Sequence, residues 1–272
     1  MAAAATRLDA AGVPSPWFDA EELAALSLQV DKRELWRHDA PGPEFERYVE
    51  RRAGREPLQH ITGQAYFRHL TLSVGPGVFV PRPETEIVAG AAIDAARAAG
   101  SSDGRAPVVV DLGTGSGAIA LAVADEVPAA SVHAVEADPA AHAWALRNCS
   151  GTPVQLRSGD MAEAFRDLDG TVDVVVSNPP YIPLGAHIRD AEVTVHDPAA
   201  ALWSGQDGLD AIRVVEQVAA RLLRPGGLVV VEHADLQGRT APDVFRGAGR
   251  WRDTEDHTDL AGRDRYLTAV RG

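Results

Sequence analysis

Two stretches of this chain carry residues that can do chemistry. One is Asp111-Leu112-Gly113-Thr114-Gly115-Ser116-Gly117, directly after an apolar run from Val108. The other is Ser177-Asn178-Pro179-Pro180-Tyr181-Ile182, directly after Val174-Val175-Val176. A strand, a loop with glycine at alternate positions and then a helix make a nucleotide-cofactor site, because such a loop brings backbone N–H groups close to a ligand at the helix N-terminus. Read as Gly113, Gly115 and Ala118, the loop also fits the dinucleotide pattern, with Glu136 about 20 residues on. The loop alone therefore does not separate NAD from S-adenosylmethionine (SAM). Asp111 does. A carboxylate at that strand end repels a pyrophosphate and favours a ligand that carries an ammonium and a sulfonium, as SAM does. Glu136, closing the next strand, is placed to accept from ribose hydroxyls. Asp160-Met161 follows the third strand, where an acid can reach an adenine amino group and a Met can pack on the ring; a helix N-cap is the other reading of Asp160.

The second stretch ends a buried strand. Its prolines supply no N–H to a sheet ladder, and Pro180 keeps Pro179 extended. The Asn178 side chain and unpaired carbonyls are then presented at a strand's C-terminal edge, where open α/β sheets bind ligands.

The elements that must hold these motifs can be read from period and punctuation. Residues 1–62 have helical character. Asp19 is a candidate N-cap for a helix from Ala20 to Gln29, Asp31 to His38 can form a second helix, and a third follows Pro43 with Phe45, Tyr48, Val49 and Arg52 on one face. Residues 63–80 read as a β-hairpin linker, with strands at 65–74 and 78–80 about the turn Gly75-Pro76-Gly77. Residues 81–272 form the α/β domain. A helix runs to about Ala99 and Gly100 to Ala106 is a loop. Strands at 108–112, 131–135, 154–157 and 171–176 then alternate with helices at 118–125, 139–148 and 161–165. That alternation predicts a doubly wound, mostly parallel sheet of the Rossmann-like kind. After Ile182 a long irregular segment precedes a helix at about 209–223, strands at 228–232, 250–254 and 266–270, and a helix near 241–245.

Composition narrows the function. At 272 residues, with 45% hydrophobic and 24% charged, the chain is that of an ordinary globular protein. A net charge of −13 disfavours phosphate backbones as partners, so no direct nucleic-acid substrate is expected. The single Cys149 rules out an intramolecular disulfide and any Cys-based zinc cluster, and no metal is expected. No stretch approaches the ~20 apolar residues of a membrane span, and we expect a cytoplasmic protein with no membrane partner.

These motifs resemble the release-factor-specific protein glutamine N5-methyltransferases, the PrmC or HemK family. The likeness lies in Leu58-Gln59-His60-Ile61-Thr62-Gly63, Pro81-Arg82-Pro83-Glu84-Thr85-Glu86, the glycine loop, Asn178-Pro179-Pro180-Tyr181, Asp207-Gly208-Leu209, Arg224-Pro225-Gly226-Gly227, Glu232 with Gln237, and Asp259-Leu260-Ala261-Gly262. It implies a seven-stranded SAM-dependent methyltransferase sheet behind a small helical substrate-recognition domain, with release factors as protein partners and the glutamine of their Gly-Gly-Gln loop as substrate. Carried over, Gly113 to Gly117, Glu136, Met161 and Asn178 line SAM, and Asn178 to Tyr181 hold the glutamine. Glu136 stands where the family more often has Asp, Met161 where an aromatic is frequent, and Ala234 where Gly is usual; the N-terminus reads about one helix short. An amide nitrogen is a poor nucleophile, so the work is positioning: the Asn178 oxygen and Pro179 carbonyl would accept the two amide N–H groups, and Tyr181 would pack on the flat amide. The alternatives are a nucleic-acid methyltransferase acting on adenine N6 or guanine N2, and a dinucleotide-binding domain. The latter leaves Asp111 and Asn178 to Tyr181 unexplained.

Overall fold

The computed structural model describes residues 1–188 and 191–272; Arg189 and Asp190, inside the long irregular segment, lie outside the described residues. The chain forms two compact units. One comprises Met1–Gln64, Val74–Pro76 and Ile188–Asp197, the other Ala65–Ser73, Gly77–His187 and Pro198–Gly272.

The first unit is helical: α1 (Ala2–Ala10), α2 (Pro16–Leu28), a 3-10 turn (Lys32–Arg37), α3 (Phe45–Ala53), α4 (Leu58–Thr62) and, from the later segment, α8 (Ala191–His196). Neither α1 nor α4 was expected; α1 forms from an alanine-rich run, the residue with the best helix propensity. Leu8, Leu23, Phe45, Val49 and Ile61 make its core. Asp19 is not the N-cap of α2. Pro16 takes the first helical position, where its fixed φ fits and its missing N–H has no intrahelical role, so the cap falls at Ser15. Asp19 is instead buried inside the helix and accepts from Arg52 Nε at 2.7 Å. Arg52 also pairs with Glu192 at 2.9 Å, so this small unit encloses charge that is matched within it. Residues 31–38 tighten to 3-10 geometry, with the Asp31 side chain accepting from the Arg33 N–H at 2.8 Å.

The second unit opens with the hairpin β1 (Gln64–Phe67) and β2 (Leu70–Ser73). Its turn is Arg68-His69, not Gly75-Pro76-Gly77, and Val78–Val80 is not a strand. Arg68 adopts a left-handed φ of 52°. Its N–H donates to Glu86 at 3.1 Å and its guanidinium pairs with Glu126, contacts that offset the conformational cost at a non-glycine residue. Then follow α5 (Thr85–Asp103), β3 (Val108–Leu112), α6 (Ala118–Glu126), β4 (Ser131–Glu136), α7 (Pro139–Cys149), β5 (Gln155–Ser158) and β6 (Val172–Ser177). After them come α9 (Asp210–Leu222), β7 (Leu223–Glu232), α10 (Thr240–Gly247), β8 (Trp251–Thr258) and β9 (Asp264–Arg271). Two expectations fail locally. The helix α5 takes in residues 100–103 of the expected 100–106 loop, with the Ser101 and Ser102 hydroxyls donating back to the Arg97 and Ala98 carbonyls, and it ends at Gly104 with φ 63°. Residues 161–165 are turns, and a 3-10 turn follows at Arg166–Leu168.

The seven strands of the main sheet run in the order β5-β4-β3-β6-β7-β9-β8, parallel except for the antiparallel β9. The chain winds outward from β3 in one direction and from β6 in the other, so the topological switch point lies between them. All six residues of β6 are buried, as a central strand covered on both faces requires.

Candidate active site

Both chemistry-bearing loops leave the C-terminal ends of the two strands at the switch point. Asp111 is in register with Val176, and the Ser177 hydroxyl donates to the Leu112 carbonyl at 2.7 Å, tying the two strand ends together. The glycine loop therefore emerges beside Asn178.

The loop is built by left-handed residues. Gly113, Gly115 and Gly117 have φ of 71°, 59° and 88°. The Gly113 and Thr114 N–H groups both donate to the Val135 carbonyl at 3.0 Å, which anchors the loop to β4. At Gly117 an added Cβ would lie 3.3 Å from both Cys149 Sγ and Leu121 Cδ1, whereas at Gly113 and Gly115 it would meet open space. Thr114 and Ser116 are buried and belong to the loop's own support. Asn148, which sequence reading passed over, holds the loop from α7: its Nδ2 donates to the Ser116 carbonyl at 2.9 Å and to the Ser73 carbonyl at 3.0 Å.

Asp111 is 1% exposed. Its Oδ2 accepts from the Thr114 hydroxyl at 2.6 Å and the Ala120 N–H at 3.1 Å, while Oδ1 has no hydrogen-bond partner among the described residues. Burial pushes its carboxyl up to about 7, against the pull of those two hydrogen bonds. A buried acid with one oxygen unsatisfied is a group waiting for a donor or a cation. Glu136 is bound into the loop as well: Oε2 accepts from the Gly115 N–H at 2.8 Å and Oε1 from the Asp138 N–H at 2.9 Å. Each oxygen keeps a second lone pair for a ligand. Asp160 is exposed and its side chain accepts from the Ala162 N–H at 2.9 Å, a turn-capping bond, and Met161 packs partly buried against the sheet core. Cys149 is the buried last residue of α7, and burial pushes its thiol up to about 11, so it stays protonated.

On the other strand end, Asn178 Nδ2 donates to Thr85 Oγ1 at 3.2 Å. Thr85 is the buried first residue of α5, and its hydroxyl faces the Glu232 carboxyl at the end of β7, whose charged form it favours. The Tyr181 hydroxyl lies 3.5 Å from Glu232 Oε1. Burial pushes the Glu232 carboxyl up to about 7, opposed by the Thr85 hydroxyl and the charge of Arg265, and its Oε2 has no hydrogen-bond partner among the described residues. Burial, with the Glu232 charge behind it, raises the Tyr181 phenol further. Arg265, from β9, is held by Asp259 at 3.2 Å. The Tyr181 backbone is fixed separately: Gln237 Nε2 donates to its carbonyl at 3.1 Å and to that of Gly208 at 3.3 Å. Gly208 has φ of 76°, and a Cβ there would overlap the Tyr181 carbonyl oxygen.

The sequence-derived residues thus fall into two groups at neighbouring strand ends, Asp111 to Gly117 with Glu136 and Asn178 to Tyr181, with Asp160 and Met161 after β5. Thr85, Glu232 and Gln237 lie inside stretches whose family likeness was visible, but nothing local gave their roles; Arg265 carried no signal.

The family model described as the PrmC N-terminal domain matches residues 1–63, and the methyltransferase small domain matches residues 100–248. The chain is 58% identical to a release factor glutamine methyltransferase of Streptomyces coelicolor, over 99% of this chain and 96% of the relative. It is 48% identical to one from Mycolicibacterium smegmatis, over 99% and 95%. A 4-amino-L-phenylalanine/4-methylamino-L-phenylalanine methyltransferase of Streptomyces pristinaespiralis is 46% identical over 84% of this chain and 78% of its own. Among solved structures, a T. thermophilus 16S rRNA methyltransferase in complex with AdoMet and guanosine has a TM-score of 0.53 at 23% identity, covering 77% of this chain and 50% of that one, a likeness of fold.

Proposed function

Because the chain belongs to the release factor glutamine methyltransferase family, we propose that it methylates the side-chain amide nitrogen of the Gly-Gly-Gln glutamine in peptide-chain release factors at the C-terminal ends of β3 and β6. It is a SAM-dependent N-methyltransferase. Its residues fit that cofactor on one observation above all: the buried Asp111 Oδ1 has no partner among the described residues, beside a loop where Gly113 and Gly115 leave open space. When bound, SAM supplies a methyl group made electrophilic by its sulfonium.

The chain's own contribution is placement. Gly113 to Gly117, with Thr114 and Ser116 in support, Asp111 and Glu136 would hold the cofactor, with Asp160 and Met161 toward its adenine. Asn178 Oδ1 and the Pro179 carbonyl would accept the two N–H groups of the glutamine amide, stabilising positive charge that grows on nitrogen. Tyr181 and Pro180 would wall the amide, and correct alignment of this kind contributes roughly 7–11 kcal/mol. The fixed junction of Ser177 with Leu112 supports this reading, since it holds the Asn178 strand end beside the glycine loop. The net charge of −13 and the full-length identity to protein methyltransferases favour a protein target over the nucleic-acid alternative. Among the described residues no helix is long and apolar enough to cross a membrane, and we place the activity in the cytoplasm with its release factors.

The test is transfer of labelled methyl from SAM to a purified release factor, with the modified residue mapped by mass. Label should sit on the Gly-Gly-Gln glutamine and vanish when that residue is Ala. Persistent label on the Ala variant, or preferred methylation of free 4-aminophenylalanine supplied in the same assay, overturns the assignment.

A further inference from the structure

The Asn178 amide has two ends of opposite hydrogen-bond character, and only one of them can serve a substrate N–H. Its Nδ2 is committed to Thr85 Oγ1 at 3.2 Å. Thr85 has a single hydroxyl proton, and the carboxyl it faces is Glu232, 2% exposed, whose charged form it favours and which as a carboxylate can only accept. The directions follow in sequence. Thr85 donates to Glu232, its lone pair accepts from Asn178 Nδ2, and Oδ1 becomes the outward edge of the amide. Resting on the glutamine methyltransferase reading, we propose that Thr85 is a positioning residue which, polarised by Glu232, locks the Asn178 amide with its oxygen toward the substrate.

The groups facing Glu232 come from each element around it. Thr85 and Tyr181 donate toward it, Arg265 on β9 favours its charged form, and Glu84 just before α5 opposes it. Were Glu232 protonated, its own proton would occupy the Thr85 lone pair and free the hydroxyl proton to turn toward Asn178, so the lock would lose its direction. The arrangement holds above the carboxyl's titration and loosens below it.

Thr85→Val keeps the shape and removes the hydroxyl. At about pH 8.5, with SAM and release factor saturating, we expect kcat to fall roughly 10- to 100-fold, the size of losing one hydrogen bond in a charged network. KM for the release factor should stay within about threefold, since ground-state contacts remain. SAM affinity by calorimetry should be unchanged, and Thr85→Ser should recover most of the rate. In the wild type, kcat should decline as pH falls through about 7, and Glu232→Gln should remove that limb. Thr85→Val turnover within about twofold of wild type, or a Thr85→Ser variant as impaired as Thr85→Val, overturns the proposal. Should Thr85→Val lose SAM binding, and so its fold, the Glu232→Gln profile decides instead: an unaltered acid limb overturns it. Wild-type protein that does not methylate the glutamine at all would instead strike the functional reading.

Discussion

Asn178 and Asp111 show how differently two buried polar groups can be used. Asn178 is a neutral acceptor whose value lies in direction. Replacing it with Ala removes one preorganised oxygen, and we expect a loss on the order of 10²–10³ in kcat with SAM binding little affected; near-normal turnover would contradict the positioning role. Asp111 is an acid held up to about 7 by burial. Its folded value lies above its unfolded one, so the unfolded chain releases this proton first as pH rises. Its contribution to stability is full below the unfolded value near pH 4 and is lost by about pH 7. In ligand-free protein, Asp111→Asn should therefore gain on the order of 4 kcal/mol relative to wild type between those limits, read as the difference between two denaturation series. The same variant should bind SAM weakly at every pH, whereas wild-type affinity should tighten as pH rises through about 7. Parallel pH profiles for the two proteins would show that Asp111 does not carry the charge that meets the ligand.

At the level of elements, the loop after β6 is held less by its own prolines than by pieces that arrive late in the chain. Gln237, between β7 and α10, grips the Tyr181 carbonyl, and Gly208 gives that carbonyl room. Gly208→Ala introduces a Cβ at a left-handed φ and against the Tyr181 backbone, so the loop must move. We expect a stability loss of about 1–3 kcal/mol and at least a tenfold fall in kcat, with SAM affinity retained because the glycine loop is untouched. A variant that is destabilised yet turns over normally would detach this glycine from the site. The prolines and valines of the motif were legible because their effects are local: no N–H, a fixed φ, a β-branched run. The hairpin turn was misplaced for the converse reason. Gly75-Pro76-Gly77 has the stronger local signal, but Arg68 is held in its turn by Glu86 and Glu126, which lie far along the chain.

For the molecule as a whole, each compact unit has its own core, and the helical one also contains the ion pairs of Asp19, Arg52 and Glu192. Removing the central cation with Arg52→Met takes the Arg52 guanidinium from buried Asp19, while Glu192 keeps Arg55 at 2.8 Å. That should cost the helical unit about 3–5 kcal/mol, because the desolvation of the Asp19 charge is no longer offset. Denaturation followed by tryptophan fluorescence should show an earlier transition, while calorimetry finds SAM affinity unchanged. A parallel loss of SAM affinity would mean that the two units do not hold their structures separately.

The sequence by itself determined the alternating strands and helices, the glycine loop with its acid, and the proline-closed strand end. Each of these follows from hydrophobic period or from the backbone limits of Gly and Pro, which act within a few residues. Tertiary structure alone decided which partner each polar group finds. Thr85 meets Asn178 from 93 positions away, and Gln237 meets Tyr181 from 56. Strand order and helix placement bring those atoms within hydrogen-bond range, and no local period encodes either. Asp19 teaches the same: its type suits a helix cap, but the proline ahead of it moved the cap and Arg52 gave it a buried partner instead.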